Sequence, residues 1–415
     1  MRSADQLLSS RRVLLLQGPM GGFFSQVFQW LEMNRIVCYK VNFNGGDRLF
    51  FGGEHALDYR GQLGDFQGWL AQTVKRLQID TILCFGDCRL YHIEAKRFCQ
   101  NTNVRFMVFE EGYLRPDYIT LELDGVNAFS GIHPSQIEKT PQAHDHPLPT
   151  NSSFLLVIWS ACLYYIAWMV MHWRYPHYQH HRLLSPAQEV MAWFLALIRR
   201  VGYYIPDHMK QQRIRQHWQG RYYIVALQVH NDSQVRVHSD YGDVSEFIRE
   251  TMTSFAAYAK TDQYLVVKHH PMDRGYRNYG PLIQSIGAQL GVADRVLYVC
   301  DVHLPSLIRG SLGLIAINST TGLQALFHGK PVKVMGRAIY DLPRLTSQCA
   351  LDQFWCQPES VDREYYLRFR ELLLTQSQLN GSFYGDSPWM SALTQRSVLS
   401  STLPSTSIPV LRRNG

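Results

Sequence analysis

Apolar residues recur along this chain in short continuous runs, each closed by glycine or polar residues and followed by a stretch with helical spacing. Residues 12–17 form the first run, and Gly18, Pro19, Met20, Gly21 and Gly22 end it. A helix over 23–33 follows, with Phe24, Val27, Phe28 and Leu31 on one face. Further strands are predicted over 37–43, 81–85 and 104–109, with helices over 65–77 and 93–99. Residues 44–47 read as the turn that closes the second strand. Strand, turn and helix repeated in this way predict a parallel sheet with helices on its faces.

A polar, proline-containing stretch over 135–153 breaks the alternation and reads as a linker. An uncharged apolar segment follows over 154–171, and a second helical pattern runs over 186–204. The alternation then restarts, with strands over 222–228, 264–268, 295–300, 314–318 and 331–335. Helices are predicted over 244–260, 282–290 and 305–309, and after Gly322 to about His328. Beyond Pro343 the pattern weakens to one helix over 365–374 and a Ser- and Pro-containing tail from Ser377. The expected fold is α/β: two Rossmann-like lobes with a cleft between them. The boundaries fall at 1–140, 141–220 (linker and helical connector), 221–342 and 343–415 (a helical tail, partly disordered).

The 154–171 segment approaches the length that spans a bilayer. A buried or half-buried helix and an interfacial helix are the other readings. A spanning helix would put the two halves of one active site on opposite sides of the membrane, which argues against it. Composition narrows the partners: 41 Lys and Arg against 34 Asp and Glu leave a formal charge of +7, which favours an anionic ligand without choosing its type. The eight cysteines form no CxxC pair and read as reduced, mostly buried thiols of a cytosolic protein. Residues 1–12 lack the apolar core of a signal peptide, so export is not expected.

Chemistry gathers at the strand ends, where open α/β sheets bind ligands. Gly21 and Gly22 lie in the first strand-to-helix turn, where backbone approaches a ligand closely; a plain tight turn is the competing reading. This is no GxGxxG fingerprint. Glu110 and Glu111 end the fourth strand, and alternation turns only one of them toward a cleft as an acid or base. Arg115 is placed to pair with a substrate carboxylate or with Glu111. Gln228 ends the first strand of the second half, and Asp232 follows in its loop as a candidate nucleophile or a turn cap. Lys268 and His269 precede His270, which the following Pro271 holds extended. A histidine there donates to a leaving phosphate or is an ordinary loop residue. Ser319, Thr320, Thr321 and Gly322 open a helix with hydroxyls and N–H groups, suited to a phosphate or to a simple cap. No DxD pair stands in the setting used by metal-dependent glycosyltransferases, so no metal is expected.

These strings together resemble a known family. Glu110-Glu111-Gly112 is similar to the (Asp/Glu)-(Asp/Glu)-Gly motif of bacterial transferases that use CMP-activated sugars. His270-Pro271 resembles their His-Pro motif, and Ser319-Thr320-Thr321 their phosphate-binding motif. The fuller strings EEGYLRPDYITLE, QVHNDSQV, HHPMDRG and NSTTGLQALFHGKPV resemble capsule polysaccharide biosynthesis proteins of the KpsS/LipB type, β-Kdo transferases related to KpsC. The likeness runs from about Val13 to Tyr340. It implies a GT-B-like fold, with an acceptor lobe first and a nucleotide-sugar lobe second. It also implies CMP-β-Kdo as donor, retention of configuration, and an anionic lysophospholipid, lyso-phosphatidylglycerol, as acceptor. By the same resemblance His270 contacts the CMP phosphate beside Ser319 and Thr320, Glu110 and Glu111 are the acid/base pair, and Asp232 is the nucleophile. Lys268, Thr321 and Gly322 join the donor site, and Gly21, Gly22, Arg115 and Gln228 the substrate site. No cofactor, metal or nucleic acid is implied. Work at the inner face of the cytoplasmic membrane is implied, within a capsule biosynthesis complex. A UDP-sugar transferase and a non-catalytic capsule assembly or export factor are the alternatives.

Overall fold

The computed structural model describes residues 3–141, 147–180, 186–230, 235 and 238–394. A short helix α1 (Ser3–Leu8) leads into β1 (Arg12–Leu15), whose Val13, Leu14 and Leu15 are fully buried. Then come α2 (Phe23–Met33), β2 (Val37–Asn42), α3 (Gly45–Phe50), β3 (Ala56–Asp58), α4 (Phe66–Leu77), β4 (Thr81–Phe85), α5 (Leu90–Gln100), β5 (Arg105–Glu111) and β6 (Tyr118–Leu123). The first sheet has the order β3-β2-β1-β4-β5-β6, parallel except that β6 runs antiparallel to β5. Continuous apolar runs suit its central strands because helices cover both faces.

Residues 44–47 do not form the expected turn. Asn44 Oδ1 accepts the Asp47 N–H at 2.9 Å and caps α3. The two glycines that read as loop let another helix approach: a Cβ on Gly45 would strike the Ala167 carbonyl, and one on Gly46 the Tyr164 ring. Both contacts belong to α6 (Phe154–Val170), the uncharged segment. Its Ala161, Tyr164, Tyr165 and Trp168 are buried, and Tyr164 Oη accepts from Gln17 at 2.9 Å and from Asn44 at 2.7 Å. That burial supports the half-buried reading. No helix among the described residues is long and apolar enough to cross a membrane.

The connector helix α7 (Pro186–Arg213) runs well beyond the predicted 204 and ends in a π-helical turn over Ile214–Trp218. Ile214 and Trp218 are buried, and the Trp218 ring stacks on Tyr264 at 4.2 Å.

The second lobe contains β7 (Tyr222–Ala226), α8 (Val244–Tyr258), β8 (Tyr264–Lys268), α9 (Gly280–Gln289), β9 (Val296–Val299), α10 (Leu304–Gly310), β10 (Gly313–Ala316), α11 (Thr321–Phe327) and β11 (Val332–Val334). Its all-parallel sheet has the order β9-β8-β7-β10-β11. Both sheets thus reverse their strand order beside the first strand of the lobe, the doubly wound arrangement. The mixed α/β expectation with two Rossmann-like lobes holds, and one cleft is lined from both, the GT-B-like layout. Tyr113 and Ile137 of the first half share an apolar cluster with β7 and β10 of the second, which ties the lobes together.

The last elements are α12 (Leu351–Phe354), α13 (Arg363–Gln376) and β12 (Gln378–Asn380). From Ser377 the chain does not become a loose tail through its described part. β12 pairs antiparallel with β6, and Phe383, Trp389 and Leu393 bury themselves in the first-lobe core beside Phe23 and Phe109. Residues 395–415 lie outside the described part.

Candidate active site

A cavity of about 780 Å³ opens between the two sheets at the carboxyl ends of their strands. From the first lobe come Phe85, Gly86, Cys88 and Arg89 at and beyond the end of β4, and Glu110, Glu111 and Arg115 at and beyond the end of β5. The second lobe contributes Gln228, Lys268, His269, His270, Asp301, Asn318, Ser319, Thr320, Thr321 and Gln324. Arg200 and Tyr204 reach in from α7. The size falls in the usual range for small-molecule sites.

Both glutamates border the cavity, whereas alternation predicted one. β5 stops there, so the space beyond its end is open to both faces. Their settings differ. Glu110 is half-buried, and its Oε1 accepts the Glu111 N–H at 3.0 Å. Glu111 is exposed and stands 3.8 Å from the Arg115 guanidinium. Arg115 also donates to the Gly112 carbonyl at 3.3 Å.

His270 has the extended backbone expected before proline, with φ −76° and ψ 128°. Its Nδ1 accepts the Met272 N–H at 3.2 Å. A ring nitrogen that accepts carries no proton, so the neutral imidazole holds its proton on Nε2. Burial holds His270 neutral, with the charges of Lys268 and Arg115 adding to the effect, and its pKa falls to about 3. The loop is braced from behind: buried Asp273 accepts from His230 Nδ1 at 2.6 Å and donates its N–H to the His270 carbonyl at 3.0 Å.

Other predicted residues border the cavity while serving the fold. Lys268 Nζ donates to the carbonyls of His269 and Cys300, each at 2.7 Å, and joins the ends of β8 and β9. Burial lowers its pKa to about 8. Gln228 exchanges two hydrogen bonds with Asn318, 2.8 Å from its Nε2 and 3.2 Å to its Oε1, across the switch point of the second sheet. At the start of α11 it is Ser319 whose Oγ accepts the Thr321 N–H at 3.2 Å. Thr320 precedes the helix without a capping bond from its side chain, so its cavity-lining hydroxyl has no helix-end duty.

The structure does not bring Gly21, Gly22 or Gly322 to this cavity. Gly21 has φ +133° and lies near Ser160 of α6, so its role is the turn itself. A side chain on Gly322 would collide with the Tyr340 hydroxyl, which donates to the Ser319 carbonyl at 2.5 Å; this glycine is small to admit that brace. Asp232 lies outside the described residues.

Several lining residues escaped the sequence reading. Arg89 donates to Gln17 Oε1 at 3.2 Å and to the Gly18 carbonyl at 3.0 Å, spanning the switch point of the first sheet. Its position just past a strand was a readable signal. Arg200, Tyr204 and Asp301 had none. Asp301 pairs with Arg274, and buried Asp207 of α7 accepts the N–H groups of Cys300 and Asp301, each at 2.7 Å.

The buried imidazoles have a consequence for stability. Burial lowers His92 and His270 to about 3 and His269 to about 4, against 6.5 for an ordinary histidine. Below pH 6.5 the unfolded chain binds protons that the native state refuses, so acid favours unfolding. The melting temperature is expected to fall steadily as pH drops from 6.5 toward 4. A thermal melt series that stays flat over that window would contradict the buried neutral rings.

Residues 80–384 match the family model described as capsule polysaccharide biosynthesis protein. The chain is 44% identical to the Escherichia coli protein named capsule polysaccharide export protein KpsS, over 91% of this chain and 98% of that one. The chain belongs to the capsule polysaccharide biosynthesis protein family. A second member, capsule polysaccharide modification protein LipB of Neisseria meningitidis serogroup B, is 40% identical over 91% of this chain and 93% of its own length. Among solved structures, KpsC of Thermosulfurimonas dismutans, titled a beta Kdo 2,7 transferase, aligns with a TM-score of 0.46 at 15% identity. That alignment covers 93% of this chain and 99% of that one. The apo form of the lipopolysaccharide outer core galactosyltransferase WaaB aligns with a TM-score of 0.35 at 10% identity, over 88% and 99% of the two chains. For this family member, the shared cleft between two Rossmann-like lobes is where its chemistry is sought.

Proposed function

We propose that this chain is a retaining glycosyltransferase that moves Kdo from CMP-β-Kdo to lyso-phosphatidylglycerol, an anionic lysophospholipid, at the inner face of the cytoplasmic membrane. The product would begin the poly-Kdo linker of a capsular polysaccharide. The observation that carries the reading is convergence: Glu110, Glu111 and Arg115 of one lobe border the same cavity as His270, Ser319 and Thr320 of the other. A donor phosphate would lie against His270 and the Ser319 and Thr320 hydroxyls. Arg115 and Arg89 supply positive charge for a sugar carboxylate.

In the first step, an Asp232 carboxylate oxygen would bond to the anomeric carbon while that carbon's bond to the CMP phosphate oxygen breaks. His270 Nε2–H donates a hydrogen bond to the departing oxygen, stabilising the charge that grows there. In the second step the acceptor hydroxyl attacks the anomeric carbon, Asp232 leaves, and Glu110 takes the hydroxyl proton. Glu110 is preferred over Glu111 because its carboxylate is half-buried at the cavity, whereas that of Glu111 is exposed.

The purified chain should release CMP when given CMP-β-Kdo and lyso-phosphatidylglycerol, and the lipid product should gain one or more Kdo residues by mass. Turnover undiminished by EDTA is expected as well. UDP release from a UDP-sugar would replace the donor assignment with another transferase activity. Absence of release from every activated sugar, with the glycolipid merely bound, would favour the export role named in the Escherichia coli relative.

A further inference from the structure

The connector helix presents an apolar face that no described residue covers. Met191, Phe194, Ile198, Val201, Ile205 and Met209 recur every three or four residues along α7, which places them on one side. All six are more than half exposed, from 52% at Ile198 to 72% at Val201. The stripe extends over about 27 Å at the rise of an α-helix. Soluble surfaces rarely carry so long an apolar band unless something docks there.

Charge identifies the occupant. Between residues 186 and 221 there are two acids, Glu189 and Asp207, and both are fully buried. Arg200, Arg213, Arg215 and Arg221 of the same stretch are exposed. The surface of this helix and of the turn after it is therefore apolar and cationic, with no exposed carboxylate. The neighbouring α6, which packs on α7, has no charged residue, and Trp159 on it and Trp173 just beyond it are 63% and 77% exposed. Exposed tryptophans together with exposed arginines match the boundary between lipid headgroups and acyl chains. We propose that α7, with the open side of α6, is the surface by which this protein lies on an anionic phospholipid bilayer. Arg200 and Tyr204 stand on the same helix and line the cavity, so a lipid headgroup would enter beside the bilayer rather than be lifted far from it. That last link rests on the lipid-acceptor reading above; the docking surface does not.

The full chain is to be sedimented with vesicles of phosphatidylcholine, with and without phosphatidylglycerol. It should partition to the phosphatidylglycerol vesicles and be released as salt rises. Arg213→Gln and Arg215→Gln should each weaken partition about fivefold. The double variant Val201→Glu, Ile205→Glu should lower it at least tenfold, a figure of the order set by the cost of charge at a bilayer. These side chains are exposed and outside the cavity, so the melting temperature should hold; Val201→Ser, Ile205→Ser gives a milder check. No preference for anionic vesicles, or partition untouched by the stripe variants, would overturn the proposal. So would light scattering that shows a dimer dissociated by the same substitutions. Vesicle binding without CMP release would leave the surface standing and sink the transferase reading, and CMP release without vesicle binding would do the reverse.

Discussion

Replacing His270 with alanine is expected to lower kcat for CMP release by about a hundred- to a thousandfold, the loss usual for one preorganised donor to a developing anion. The tautomer of the ring decides this. Nδ1 accepts the Met272 N–H at 3.2 Å, which leaves the proton on the ring's other nitrogen. Since burial lowers the pKa to about 3, the imidazole stays neutral throughout the physiological range. In the proposed mechanism it would therefore serve as a hydrogen-bond donor to the phosphate oxygen, and it would not titrate as an acid near neutrality. The defect should consequently be the same at about pH 6 and about pH 8, on either side of the ordinary histidine range. His270→Gln, which retains an N–H donor on a similar reach, should recover part of the loss. An alanine variant that turns over at the normal rate would remove His270 from the chemistry, whatever its place at the cavity.

Asp232→Ala is expected to cost more, at least about ten-thousandfold, because a missing nucleophile stops a double displacement at its first step. Retention by double displacement takes two inversions, with a protein group bonded to the sugar between them. The described carboxylates of the cavity are Glu110, Glu111 and Asp301. Asp301 is engaged by Arg274, and Glu111 faces Arg115, so neither is an unhindered nucleophile. Val229, three residues before Asp232, lines the cavity. Mass spectrometry of the quenched wild-type enzyme should find Kdo on the peptide that contains Asp232. Full turnover by Asp232→Ala, or a label on the Glu110 peptide, would transfer the nucleophilic role or abolish the two-step scheme.

How much of this was legible depends on the range of the interactions involved. The strand over 264–268 and the helix over 23–33 form with the predicted bounds, because a run of apolar or β-branched residues and a 3.6-residue period are local signals. The strand-end rule then located Glu110, Glu111, His270, Ser319 and Thr320, since parallel strands deliver their last residues to one edge. Residues 44–47 misled, because an Asn-Gly-Gly-Asp run serves a turn and a capped helix equally well, and only the approach of α6 decides between them. β6 and β12 depend on antiparallel partners, and those of β12 lie more than 250 residues away.

From the residues alone came the alternation of both lobes, the proline that holds His270 extended, and the set of motifs that marks the capsule family. Folding in three dimensions decided that both glutamates border the cavity, that Gln228 and Lys268 are already bonded to neighbouring strand ends, and that Gly21, Gly22 and Gly322 stand away from the cavity. It also brought Arg200 and Tyr204 to the site on α7 while leaving that helix's apolar side in the open. The division has one cause. Periodicity and turn chemistry act between neighbours in the chain, whereas a cavity is made where distant segments pack, and hydrogen bonds formed there determine which polar groups remain for a substrate.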